Sequence, residues 1–310
     1  MKKLADIIRP KDIFEEVKTI VFLMVPDFDF SWINTVYQDI VKLFEGDFVG
    51  YRKCNTRYHD LRHTEDCVLE FTRILHGAFL RGHAISIRGV NLGIISALMH
   101  DTGYIQQVHD TTGTGGKYTL NHIERSIEFA QRYFHIKGFL HDDFIFCKSC
   151  LKCTGLEVKI QDIHFISNEN ELMGKILGVA DLIGQMSDGN YLQKLPFLFE
   201  EFQEGGIEEF ASEWELLQKT FDFWEFTQKR FATELGNVDR YLQDHFRIRW
   251  GIDQDVDRLA IKCNLNRLKY ILENHPSDYR RHLLGEPPAE HLLGRPFDAD
   301  LGVLERSKVS

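Results

Sequence analysis

No stretch of this sequence stays apolar for anything like the ~20 residues that a membrane-spanning helix needs. Positive charge is also short, since 37 Lys and Arg face 47 Asp and Glu and leave a net charge of −10. A general nucleic-acid binder needs a basic face, so that class is disfavoured, although a local basic patch stays open. Six cysteines in 310 residues are too few for a disulfide scaffold and fit reduced thiols. The opening MKKLADIIRPKDIFEEV has the charges of a signal peptide but lacks its apolar stretch, because Asp6, Arg9, Lys11 and Asp12 interrupt it. The chain therefore reads as cytoplasmic. It contains no β-rich segment, no internal repeat and no low-complexity linker.

What remains is a helical pattern nearly throughout. Apolar residues recur at helical spacing over 13–44, with a break at Pro26, Asp27 and Ser31, and again over 60–80. The run Val90–Met99 is apolar almost all round, as a central buried helix should be. Further helices are expected near 121–135, 141–153, 171–186, 190–203, 208–246 and 255–273. Beyond His275 come Pro276, Gly285, Pro287, Pro288, Gly294 and Pro296, which predict a loosely packed tail. At 43% hydrophobic residues the chain can bury a sizeable core, and the expected fold is an all-α compact bundle.

Three segments place His and Asp where an apolar helix should not want them. In Tyr58-His-Asp-Leu-Arg-His-Thr-Glu-Asp-Cys-Val, His59 and His63 are four residues apart and share a helix face. His100 and Asp101 end the most hydrophobic helix, and Asp181 lies inside the apolar run Ile176–Ile183. An ionised carboxylate buried without a partner costs several kcal/mol, so Asp101 and Asp181 each need a cation or a hydrogen bond. A shared metal satisfies all three segments. His63, His100, Asp101 and Asp181 offer two imidazoles and two carboxylates, a set suited to one or two divalent ions such as Zn, Fe, Mn, Mg or Ni. Because a carboxylate has two oxygens, Asp101 can bridge a pair of ions.

The ordered pattern His63…His100-Asp101…Asp181 resembles the signature of the HD-domain superfamily of metal-dependent phosphohydrolases. The first motif and the segment GVADLIGQMSDGNYLQKLPFLFEEFQEGG are similar to the class I cyclic nucleotide phosphodiesterases, and the likeness covers about residues 51–246. It implies an HD/PDEase-type helical bundle over 51–250, with a helical extension over 1–50 and a helix and tail over 251–310. It also implies a phosphohydrolase acting on a small-molecule phosphate ester, a nucleotide phosphodiester foremost, with no membrane partner. His63, His100, Asp101 and Asp181 match metal ligands, His59 matches the histidine that protonates the leaving oxygen, and Asp66 matches a residue that holds a histidine by hydrogen bond. His122 resembles a fifth ligand and Glu124 a group acting on bridging water, while a solvated helix start remains the other reading of His122. Three departures stand out. Asp60 replaces the family's Asn, Thr102-Gly103-Tyr104 replaces Val-Asp-His, and Glu234 falls where the purine-selecting Gln would be, which puts cyclic nucleotides in question. A nucleotide monophosphatase or triphosphohydrolase, or a non-catalytic HD-fold sensor with a structural metal, stays as the alternative.

Other features have plainer readings. His141-Asp142 sits at a helix start, where Asp is a good cap. Cys147, Cys150 and Cys153 lack a fourth ligand and read as core. The Gly-Thr stretch 109–117 lacks the Walker pattern and reads as a flexible connector, with Lys117 and the backbone amides open to substrate. The aromatic run Trp214…Phe221-Asp-Phe-Trp-Glu-Phe reads as helix core, with one or two rings available to line a pocket.

Overall fold

The computed structural model describes Ile7 and residues 10–284. Over these residues the chain is all-helical, with no β-strand and one isolated antiparallel bridge between Tyr51 and Gln107. The first helices are α1 (Ile13–Met24) and α2 (Ser31–Glu45), then α3 (Leu61–Leu80) and α4 (Ile87–Met99). They are followed by α5 (His122–Lys137), α6 (His141–Lys152), α7 (Asn168–Ser187) and α8 (Tyr191–Glu204). The last four are α9 (Glu213–Thr233), α10 (Tyr241–Trp250), α11 (Val256–Asn274) and α12 (Tyr279–Leu284). No described helix is long and apolar enough to cross a membrane.

Side-chain caps set many helix starts. Asp12, Asp60, Ser86, Ser167, Ser212 and Asp255 each accept a backbone N–H from the first turn of the helix that follows. Before α6 the cap differs from expectation. Asp142 is exposed, and it is Asp143 whose Oδ2 accepts Leu140 N–H at 2.9 Å while its Oδ1 takes Arg88 Nε at 2.9 Å.

The middle of the fold is α3, packed against α1, α4, α7 and α10. Its charges obscured that position in the sequence, yet each is paired. Buried Arg73 donates to Glu70 at 2.6 Å and lies 3.4 Å from Asp257, and the Nδ1 atoms of His76 and His245 are 3.0 Å apart. Residues of α1, α2 and α11 join the same apolar core as the central helices, Val17, Ile20, Ile33, Ile40 and Leu268 among them. Cys147, Cys150 and Cys153 lie in that core as free thiols, and burial pushes Cys147 and Cys153 up to about 12.

Three expectations need correction. The helix foreseen over 208–246 is two helices, α9 and α10. Gly236 (φ +66°) and Asn237 (φ +55°) turn the chain left-handed between them, and a short 3-10 turn at Val238–Arg240 follows. The aromatic run on α9 is only half-buried at Phe221, Phe223 and Trp224, and Phe226 is exposed. The tail foreseen beyond His275 begins instead as helix α12, which buries Leu283; residues 285–310 lie outside the described residues.

Candidate metal centre

His63 occupies the first turn of α3, where its backbone N–H is held by Asp60 Oδ1 at 2.8 Å. That bond explains the Asp at position 60, since Asp and Asn are equivalent helix caps. His100 follows the last residue of α4, and Asp101 leads into a 3-10 turn at Thr102–Tyr104. Asp181 projects from the middle of α7. The packing brings these four together. Asp101 Oδ2 lies 3.2 Å from both His63 Nε2 and His100 Nε2, and the two nitrogens are 3.3 Å apart. Asp181 Oδ1 approaches them at 3.2 and 3.7 Å. His63, His100 and Asp101 are buried, and Asp181 is half-buried.

Metal fit can be tested on this geometry. Nitrogen and oxygen ligands about 2.1 Å from one ion are separated by roughly 3.0–3.4 Å at tetrahedral or octahedral angles, and the core spacings fall at 3.2–3.3 Å. Asp101 Oδ2 is buried and meets no partner in hydrogen-bond geometry, a costly arrangement unless a cation completes it. His100 Nδ1 lies 2.8 Å from Ala97 O, so Nε2 is the ring nitrogen directed at the cluster, where a metal ion would take the place of its proton. The residues present therefore fit a divalent ion.

Electrostatics agree with that fit. Burial opposes a charged His63, but the carboxylates of Asp101 and Asp181 outweigh it and lift the imidazole to about 9. His100 is likewise raised, against burial, by Asp101 beside it. Burial disfavours an ionised Asp101, yet the charge of His100 wins and holds the carboxyl well below the usual range. Asp181 is lowered in the same way, chiefly by His63. Such a cluster favours positive charge at its centre.

His122 opens α5 on the rim. Its Nδ1 is bonded to Thr119 O at 2.7 Å and its Nε2 stands 3.9 Å from Asp101 Oδ1. Burial pushes this imidazole down, towards the neutral form that ligates. The approach is possible because Gly103 has no side chain: a Cβ there would lie 1.9 Å from His122 O. Gly103 N–H donates to Ser126 Oγ at 2.9 Å, and Ser126 Oγ donates to His100 O at 2.7 Å. Arg125 Nε adds a bond to Gly103 O at 2.6 Å. Glu124 on the same turn is exposed. Asp66 pairs with Arg62 at 3.3 Å and borders, with His63 and Tyr58, a cavity of about 10 Å³.

Two residues to which sequence reasoning assigned no role complete the site. Glu201 on α8 is buried, with Oε2 2.7 Å from His59 Nδ1 and Oε1 accepting the N–H groups of Arg57 and Tyr58 at 2.8 and 2.7 Å. The signal was available: Glu201 falls on the apolar stripe of Tyr191, Leu195 and Leu198, as Asp181 falls in its own apolar run. Tyr104 stacks on His59 (centroids 4.2 Å) and on His122 (4.7 Å), with its hydroxyl 3.5 Å from His59 Nε2. Nothing local marked it, because its partners come from distant segments.

The Gly-Thr stretch is pinned rather than loose. Glu204 accepts from the backbone and hydroxyl of Thr114, Asn55 Oδ1 takes Gly115 N–H at 2.9 Å, and Thr114 Oγ1 takes Gly116 N–H at 3.0 Å. Lys117 is bonded to Asp110 and to Thr112 O, both at 2.6 Å. These amides and this ammonium are thus engaged within the chain. Glu234 accepts Ile160 N–H at 3.1 Å and has not been brought to the cluster.

A family model described as Npun_R2479-like matches residues 30–243, well over half of the chain. The chain belongs to the Npun_R2479-like family. The matched segment runs from the start of α2 into α10 and contains His59, His63, His100, Asp101, His122, Asp181 and Glu201. The family's description names no activity. No curated protein and no solved structure matches the chain.

Proposed function

We propose that this member of the Npun_R2479-like family is a metal-dependent phosphohydrolase of the HD type, acting on a small-molecule phosphate ester, with a nucleotide phosphodiester as the leading substrate class. The observation that carries the reading is the buried Asp101 Oδ2 set 3.2 Å from the Nε2 atoms of both His63 and His100, at ligand-to-ligand spacing. His63, His100, Asp101 and Asp181 would hold the ion, with His122 poised as a further ligand through Nε2. A divalent ion bound there neutralises phosphate charge and makes water nucleophilic near neutral pH.

The chain's own residues support the remaining needs of such a reaction. A leaving oxygen needs a proton, and His59 is arranged to give one. Glu201 fixes Nδ1 of His59, so Nε2 is the atom that carries the transferable proton. Tyr104 stacks on the ring and offers its hydroxyl to that nitrogen, holding its direction before a substrate oxygen replaces the contact. Buried Tyr58 and Tyr104 keep bulk water from one side of the cluster.

The test is hydrolysis of bis-p-nitrophenyl phosphate and p-nitrophenyl phosphate by Mn-loaded protein, with and without chelator. Chelator-sensitive turnover that falls to background in Asp101→Ala, with an unchanged circular dichroism spectrum, is expected. Turnover of the monoester alone would assign a phosphomonoesterase. Metal-loaded protein that turns over neither ester, nor any nucleotide phosphate, would overturn the proposal.

A further inference from the structure

A second group of metal-type donors lies at the other end of the described chain. His275 ends α11, Asp278 lies in the following turn and His282 is on α12. His282 Nε2 is 3.2 Å from Asp278 Oδ2, and His275 Nδ1 is 3.8 Å from Asp278 Oδ1. One donor atom from each residue falls within 4.8 Å of the other two. The two imidazole rings lie 3.6 Å apart and nearly parallel.

We propose that His275, Asp278 and His282 form a second metal site, for a divalent transition ion of the zinc type, that clips α12 to the end of α11. Two imidazole nitrogens with one carboxylate oxygen are a borderline donor set, which selects zinc, cobalt, nickel or copper over magnesium and calcium. The carboxylate already addresses both histidines, one oxygen to each. The side chains are 28%, 48% and 34% exposed in chain order, so an ion can enter and water can fill its remaining positions. Binding an ion would require the two stacked rings to turn about their Cβ–Cγ bonds so that both lone pairs converge.

The fold supplies a reason for such a clip. A helix of six residues does not persist by itself, so α12 depends on anchors. Arg280 pairs with Glu213 of α9, Arg267 of α11 donates to His282 O at 2.9 Å, and Leu283 is buried. An ion held by His275 and His282 would add a bond between α12 and the end of α11. This group lies beyond residue 243, where the family match stops, and it shares no residue with the buried cluster.

Zinc is the probe. The full, tag-free chain is equilibrated with Zn(II) by dialysis and its metal counted, alongside the variants His275→Gln/His282→Gln and His100→Ala. The double variant should hold one zinc fewer than the parent with its circular dichroism unchanged, and His100→Ala should keep that C-terminal zinc. Asp278→Asn should weaken it at least tenfold. An equal zinc count in the parent and the double variant overturns the proposal. So does a parent whose zinc is lost entirely on His100→Ala in protein that remains folded.

Discussion

Asp60 and Glu201 show how one carboxylate can serve backbone and function together. Asp60 caps α3 and thereby fixes the backbone of His63. Glu201 satisfies two N–H groups just before that helix and, with its other oxygen, the ring of His59. Replacing Glu201 by Gln keeps an oxygen for the backbone but turns an amide NH2 towards His59 Nδ1, which favours the wrong tautomer. By analogy with an Asp-to-Asn change behind a catalytic histidine, turnover should fall roughly 10²–10⁴-fold. Metal content and melting temperature should stay near the parent's. Parent-like kinetics in Glu201→Gln would remove His59 from the proposed proton transfer.

Among the elements, the join between the end of α4 and the start of α5 decides whether the rim of the cluster forms. Gly103, Ser126 and Arg125 draw the two segments together, and His122 is delivered by that contact. A Cβ on residue 103 would meet backbone, not a flexible side-chain end, so α5 must move. Gly103→Ala should therefore lower stability by about 1–3 kcal/mol and weaken metal binding, as read by denaturant unfolding and by metal titration. A parent-like denaturation midpoint and metal affinity would contradict the close packing described here. The pinned 109–117 stretch belongs to the same scale. Its glycines suggested looseness, but Glu204 and Asn55, supplied by other parts of the chain, convert it into a brace between α8 and the segment after His100.

At the scale of the whole molecule, the central helix α3 carries charged and imidazole groups that only remote partners make tolerable. Burial pushes His76 down to about 4 and His245 well below its ordinary value, with Arg249 and Arg73 adding to the effect on one or both. In the unfolded chain these histidines protonate near 6.5. The unfolded state therefore binds more protons than the folded one below that pH, and stability falls with acid. The contribution of this pair is fully present above about pH 6.5 and is lost as the pH drops, His76 alone accounting for a loss on the order of 3 kcal/mol towards pH 4. Urea unfolding of the parent and of His76→Gln/His245→Gln across this range would show it. A parent whose pH dependence matches the double variant's would contradict it.

Much was legible locally. Helical periodicity, the caps, and the conflict between apolar helices and His100, Asp101 and Asp181 follow from spacing of one to four residues, so the sequence by itself determined an all-helical chain and the members of its His/Asp cluster. Tertiary structure decided what depends on residues far apart. It chose Glu201 as the partner of His59, 142 positions away in the chain, set Tyr104 against two histidines, and made α3 rather than α4 the middle of the core. It also fixed the Gly-Thr stretch and broke the long helix at Gly236 and Asn237. The physical reason is range. A helix reads its own neighbours through hydrogen bonds that reach four residues, whereas the partner of a buried polar group is whichever side chain the packing of other helices brings within about 3 Å.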